Sequence, residues 1–182
     1  MKASEQGLQS DKPERYRVTP RTLIFVTSHN PQTARREVLL IKGAPTKRLW
    51  AGKYNGIGGH IEWREDVHAA AQRELAEEAG LGGVELSLRG VINIAVETDP
   101  RAPSGVMVFV FSGESRERTL QGSPEGEPAW IPVDELASHP LVDDLYQLLP
   151  LLMDSPAPVY GHYQPHPGGT MQYHFQQTHI KS

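Results

Sequence analysis

The chain has 182 residues, a formal net charge of −4 from 18 basic and 22 acidic side chains, and no cysteine. That length suits one domain with a sizeable core. The missing cysteine excludes disulfides, thiolate metal sites and cysteine nucleophiles, and the mild acidity argues against coating nucleic acid or an anionic membrane through bulk charge.

The N-terminal MKASEQGLQSDKPERYR lacks the apolar centre of a secretory signal. No apolar run approaches the ~18 residues of a membrane span. The expectation is a cytoplasmic protein that takes a small-molecule partner, with no membrane contact and no bulk nucleic-acid binding. Nothing in the pattern speaks to oligomeric state.

Residues 1–20 are polar and read as a loose tail, 21–176 as the domain, and 177–182 as a second tail. TLIFVTS (22–28) and EVLLIK (37–42) read as strands; apolar on successive positions, they need cover on both faces. GAPTKRLWAGKYNGIGG (43–59) reads as a glycine-rich loop. Residues 66–79 read as a helix, with Asp66 in its first turn and Gly80 where a left-handed cap belongs. LSLRGVINIAVE (86–97) and GVMVFVFSG (105–113) are long strand candidates, and QGSPEGEPA (121–129) reads as loop. WIPVDELASHP (130–140) predicts a short strand and a helical turn, and VDDLYQLLPLLMD (142–154) has helical leucine spacing. VYGHY and TMQYHF, around PHPGG, read as a hairpin. This mixture predicts an α/β or α+β domain with helices packed on a mixed sheet.

The acids of RELAEEAG stand out. Glu74, Glu77 and Glu78 crowd the end of the predicted helix, where the macrodipole leaves partial negative charge. At about 100° per residue they share one face, beside the apolar stripe of Ala71, Leu75 and Ala79. A solvated face with an i,i+4 pair from Arg73 to Glu77 is the plain reading. A hard divalent cation is the functional one, since Mg²⁺ takes oxygen ligands and bridges carboxylates to phosphates. Gly56, Gly58 and Gly59 allow main chain to approach a ligand closely.

Gly59, five residues, Glu65, seven residues, then Arg73-Glu74-Leu75-Ala76-Glu77-Glu78-Ala79-Gly80-Leu81 fills every fixed position of the box GX₅EX₇REUXEEXGU, with U a bulky aliphatic. On these residues the chain resembles the Nudix hydrolases. The resemblance implies an α/β/α sandwich around a mixed sheet, and hydrolysis of a pyrophosphate linked to a nucleoside. It implies a Mg²⁺ site, with Mn²⁺ able to stand in. Glu74 and Glu78 would be ligands, joined by Glu77 directly or through water and by the Gly58 carbonyl, with Glu77 and Glu78 also catalytic candidates. Gly59, Glu65, Arg73 and Gly80 would brace the motif.

Outside the box, AGKYNGIGG (51–59), PAWIPVDEL (128–136) and LVDDLYQLLPLL (141–152) resemble the MutT-type branch, which includes oxidised-purine nucleoside triphosphatases. That resemblance implies base contact by Asn55, a further metal ligand or general base at Glu125 with Glu127 as its rival, and purine-edge readout by Asp143 and Asp144. A shared proton would let one of the two aspartates donate while the other accepts. Plain readings exist for each: Asn55 as a turn residue, Glu125 as a loop acid, the aspartates as a helix start. The branch places a tryptophan before the aspartate pair where this chain has Leu141, so base stacking is either lost or supplied by another residue such as Tyr54. The expected reaction releases a monophosphate and pyrophosphate from a nucleoside triphosphate such as 8-oxo-dGTP. A nucleotide sugar, a dinucleotide or an RNA 5′ end are alternatives, as is a ligand sensor without catalysis. His162, His166, His174 and His179 read as surface histidines. Lys42, Lys47, Arg48 and Lys53 read as loop cations, one or two within reach of phosphates.

Overall fold

Two apolar runs, TLIFV and VLLI, set the centre of the fold. Successive side chains of a strand point to opposite faces, so a run without polar alternation must be covered twice. The computed structural model, which describes residues 15–46, 49–97, 101 and 103–177, meets that need with one helix on each side.

Eight strands form one mixed sheet: β1 (Arg17–His29), β2 (Arg36–Gly43), β3 (Tyr54–Asn55), β4 (Leu86–Glu97), β5 (Ser104–Glu114), β6 (Gly126–Pro132), β7 (Val159–Pro165) and β8 (Met171–Gln177). Their order is β3-β2-β1-β5-β4-β7-β8, with β6 also paired to β2. β1 with β5 and β4 with β7 are parallel, and the other pairs are antiparallel. Helix α1 (Val67–Ala79) packs Ala71, Leu75 and Ala79 on Ile24, Val26 and Leu39. Helix α2 (Leu145–Asp154) packs Leu145, Leu148, Leu149 and Leu152 on Phe25, Val38 and Leu40 of the opposite face. The layers are therefore α/β/α. No helix among the described residues is long and apolar enough to cross a membrane.

The ends of α1 follow from its sequence. Asp66 lies just before the helix, not in its first turn, and its side chain accepts from the backbone N–H of His68 and Ala69 at 2.8 and 2.9 Å. These bonds hold its carboxyl below the usual range. Gly80 ends the helix at φ 71°, a conformation that glycine takes without a steric penalty.

Several boundaries differ from expectation, among them Tyr54–Asn55, which form β3 within the expected 43–59 loop, and Gln177, which closes β8 instead of opening a tail. β1 starts at Arg17, inside the expected tail, because residues 17–20 pair in parallel with 104–107. Their side chains are exposed, so no hydropathy signal marks them. The remaining parts of the two expected tails, 1–14 and 178–182, lie outside the described residues. Residues 126–129 belong to β6 rather than to a loop. Among the described residues β6 pairs only with strand β2, and at such an edge Pro128 is tolerated. Helix α2 begins at Leu145, not at 142, because Val142 donates its N–H to the Tyr54 carbonyl at 2.9 Å.

Leu75 is fully buried between α1 and the sheet. Leu75→Ala keeps helix propensity and opens a cavity, so unfolding in urea is expected to lose about 2–5 kcal/mol. A midpoint unchanged from the parent would contradict this packing.

Candidate active site

The site begins with a backbone ladder. Ile57 and Ile24 exchange hydrogen bonds at 2.7 and 3.2 Å, Thr22 N–H reaches the Gly59 carbonyl at 2.9 Å, and Ile61 N–H reaches the Pro20 carbonyl at 3.2 Å. The loop before α1 thus runs antiparallel against β1. Gly58 sits at φ 152°, and a Cβ there would lie 2.2 Å from the Thr22 carbonyl oxygen. A Cβ on Gly59 would lie 2.4 Å from Oε1 of Glu74. Gly58 leaves no room for a side chain beside the β1 backbone, and a side chain at Gly59 would push the Glu74 carboxylate aside.

Arg73 then gathers the acids. It donates to both oxygens of Glu65 (3.1 and 2.7 Å), to Glu74 Oε1 (2.8 Å), to Glu77 Oε2 (3.1 Å) and to the His60 carbonyl (3.0 Å). The forked bond to Glu65 raises the Arg73 pKa most and holds Glu65 below the usual carboxylate range. Glu78 accepts from the Gly58 N–H at 3.2 Å. Glu74 and Glu78 are only 9% and 8% exposed, while Glu77 is exposed.

Arg73, Glu74, Glu77, Glu78, His60 and the two glycines line a cleft of about 530 Å³, together with Arg21, Glu62 and the segment Ser123–Glu125. Glu125 lines the cleft. Glu127 does not; its carboxylate stands against Gly122. The donor set of Glu74, Glu77, Glu78 and the Gly58 carbonyl is all oxygen, which suits a hard divalent cation. Two of its carboxylates are nearly buried, and buried carboxylate charge calls for a counter-charge. As folded, Glu74 and Glu77 are turned to Arg73, and no three acid or histidine side chains among the described residues converge closely enough to hold an ion.

The other sequence candidates gather beside a second contact. Tyr54 bridges Leu141 in parallel, with Tyr54 N–H on the Pro140 carbonyl at 2.8 Å. Asn55 follows on β3, its Oδ1 accepting from the Gly56 N–H at 2.9 Å. Asp143 is exposed and accepts from Lys53 Nζ at 2.6 Å. Asp144, half-buried at the start of α2, accepts from the Tyr163 hydroxyl at 2.8 Å. Burial raises the Asp144 pKa above the ordinary 3.8, with the Tyr163 hydrogen bond opposing it. Each aspartate has its own partner, Lys53 for Asp143 and Tyr163 for Asp144. Leu141 is buried in the core under α2, while Tyr54 stacks edge-on to His139.

Lys53 and Tyr163 as partners of the aspartates, and Arg21 and His60 in the cleft, carry no motif that sequence reading detects. Tyr163 and Arg21 reach these places only through sheet pairing. Lys42 lies over the Tyr54 ring at 5.7 Å, and Lys47 and Arg48 fall outside the described residues. His162 and His174 face each other across the β7–β8 hairpin, and His166 sits in its turn; His179 falls outside the described residues.

Comparison with known proteins agrees with this fold. The chain is 30% identical over 114 residues to the oxidized purine nucleoside triphosphate hydrolase of Mus musculus, covering 63% of this chain and 71% of that protein. It is 26% identical over 158 residues to the uncharacterized Nudix hydrolase YvcI of Bacillus subtilis, covering 86% and 96%. The structure of the mutator MutT protein from Bacillus halodurans superposes with a TM-score of 0.71 at 22% identity, covering 87% of this chain and 97% of that one. A model of the NUDIX domain matches residues 19–152, well over half the chain, and the chain belongs to the Nudix hydrolase family.

Proposed function

We propose that this chain is a Mg²⁺-dependent pyrophosphohydrolase that converts a nucleoside triphosphate to its monophosphate and pyrophosphate. One observation carries the reading: two nearly buried carboxylates, Glu74 and Glu78, stand against the main chain of Gly58–Gly59 in a cleft shared with Glu77 and Glu125. Glu74, Glu78 and the Gly58 carbonyl would hold the cation, with Glu77 joining them. When bound, Mg²⁺ neutralises phosphate charge and lowers the pKa of water. Glu125 lines the same cleft and takes the role of general base. Arg73 holds Glu74 and Glu65 in register with the loop. Asn55, Asp143 and Asp144 address the base. An oxidised purine such as 8-oxo-dGTP is the preferred substrate in this reading, supported by what the mouse and zebrafish relatives are named for.

Glu78→Gln removes a ligand charge with little change of shape. Loss of partners outside the ligand shell typically costs metal sites about 10–100-fold, so Mg²⁺-dependent pyrophosphate release is expected to fall at least ~100-fold. Undiminished release would sink the site assignment.

A panel of purine and pyrimidine triphosphates, a nucleotide sugar and a dinucleotide, assayed for pyrophosphate or phosphate release, tests the substrate class. A purine triphosphate is expected to rank first, and Asp144→Asn to reorder the bases while leaving the Mg²⁺ requirement intact. An unchanged ranking would remove Asp144 from the base site.

Asp144 also has a stability signature. Its folded pKa is raised, so the folded state holds the proton to higher pH than the unfolded state does. Stability contributed by this group is therefore full below the ordinary 3.8 and falls as pH rises through the folded pKa. Asp144→Asn is expected to flatten that part of the pH–stability curve, measured by urea unfolding. An Asn variant that tracks the parent at every pH would show that Asp144 ionises unperturbed.

A further inference from the structure

The cleft holds two guanidinium groups, and their situations differ. Arg73 is committed to Glu65, Glu74 and Glu77. Arg21 also lines the cleft, yet no carboxylate or carbonyl among the described residues takes its side chain. Directly across an antiparallel bridge stands His60, which lines the same cleft. His60 offers its carbonyl to Arg73 and leaves its ring without a protein partner. Cross-strand neighbours stabilise a sheet when they carry opposite charges or complementary hydrogen-bonding groups. A neutral imidazole can donate or accept, yet no hydrogen bond joins it to Arg21, so no contact among the described residues satisfies the pair. An anion shared between them does.

Position along the loop identifies which anion. Asn55, Gly58 and His60 follow in order on one extended stretch, pinned by the Ile57–Ile24 and His60–Arg21 bridges. The five steps from Asn55 to His60 span at most roughly 16 Å at ~3.3 Å each, about the length of a nucleoside triphosphate. With the base at Asn55 and the cation at Gly58, the far end falls at Arg21 and His60. A polyphosphate tail entering a cleft with five glutamates also needs positive charge beyond the metal, and Arg73 is already occupied.

We propose that Arg21 and His60 form a clamp for the terminal phosphates of the substrate, and that this clamp makes the enzyme select triphosphates over diphosphates. The inference rests on the triphosphate reading above for its substrate, but the clamp itself is tested with inorganic pyrophosphate.

The full chain in Mg²⁺ is titrated with pyrophosphate by calorimetry. Kinetics are measured with the triphosphate and diphosphate of one base. Charge-assisted hydrogen bonds contribute about 1.5–3 kcal/mol, so Arg21→Ala is expected to weaken pyrophosphate binding about 10-fold or more. KM for the triphosphate should rise alike, with kcat and the diphosphate KM moving less. His60→Ala should act in the same direction. Arg21→Lys should recover part of the loss, because lysine keeps the charge without the guanidinium fork; this variant also separates a binding defect from misfolding. Equal pyrophosphate affinity in parent and Arg21→Ala, or no pyrophosphate binding by the parent, would overturn the clamp. A parent that binds pyrophosphate through Arg21 yet hydrolyses no triphosphate would overturn the substrate reading and leave the clamp standing.

Discussion

The site depends on two close approaches that glycine permits. Gly58 lies against the Thr22 carbonyl and Gly59 against the Glu74 carboxylate, each within 2.4 Å of where a Cβ would be. That closeness lets the loop pair with β1, and the pairing carries the N–H of Gly58 to Glu78. Loop and helix are thereby locked together at the negative end of α1. Crowding acids there costs a few tenths of a kcal/mol each through the dipole and like-charge repulsion. Arg73 offsets that cost. Its bonds to Glu65 and Glu74 are charge-assisted and mostly shielded from water, where such bonds are about twice as strong as neutral ones. Its bond to Glu77, whose side chain is 59% exposed, adds little. One guanidinium therefore keeps three acids ordered.

β1 divides the labour between the faces of the sheet. Ile24 and Val26 turn to α1 and its carboxylates; Leu23 and Phe25 turn to the side where α2 packs. Asn55, Asp143 and Asp144 are joined by the Tyr54–Leu141 bridge and the Lys53–Asp143 ion pair, not by the glycine loop itself. In the proposed reading, phosphate chemistry and base recognition thus rest on different contacts. Either can change without dismantling the other.

Much of the fold is legible in the chain. TLIFV and VLLI lack alternation because both faces are covered, and α1 is bounded by Asp66 and Gly80, which supply its caps. What escapes is structure made by pairing alone. Residues 17–20 and 126–129 are polar or conformationally awkward, and they become strands because a neighbour offers a free edge. The start of α2 escapes for the same reason, since Val142 is held extended by Tyr54.

The same distinction separates the legible part of the site from the rest. The box is continuous from Gly59 to Leu81, so its spacing reports geometry that local backbone enforces through one loop and one helix. The residues around the proposed base position come from segments far apart in the chain. Lys53 meets Asp143 across 90 positions and Tyr163 meets Asp144 across 19. Each such meeting depends on sheet order, and no local spacing encodes it. Asp143 and Asp144 are adjacent in sequence, yet one is held in solvent by a lysine and the other drawn inward by a buried tyrosine. Adjacent letters therefore acquire unlike chemistry, an exposed anion and a half-buried acid with a raised pKa. A family box consequently identifies the family long before it identifies the molecule on which a member acts.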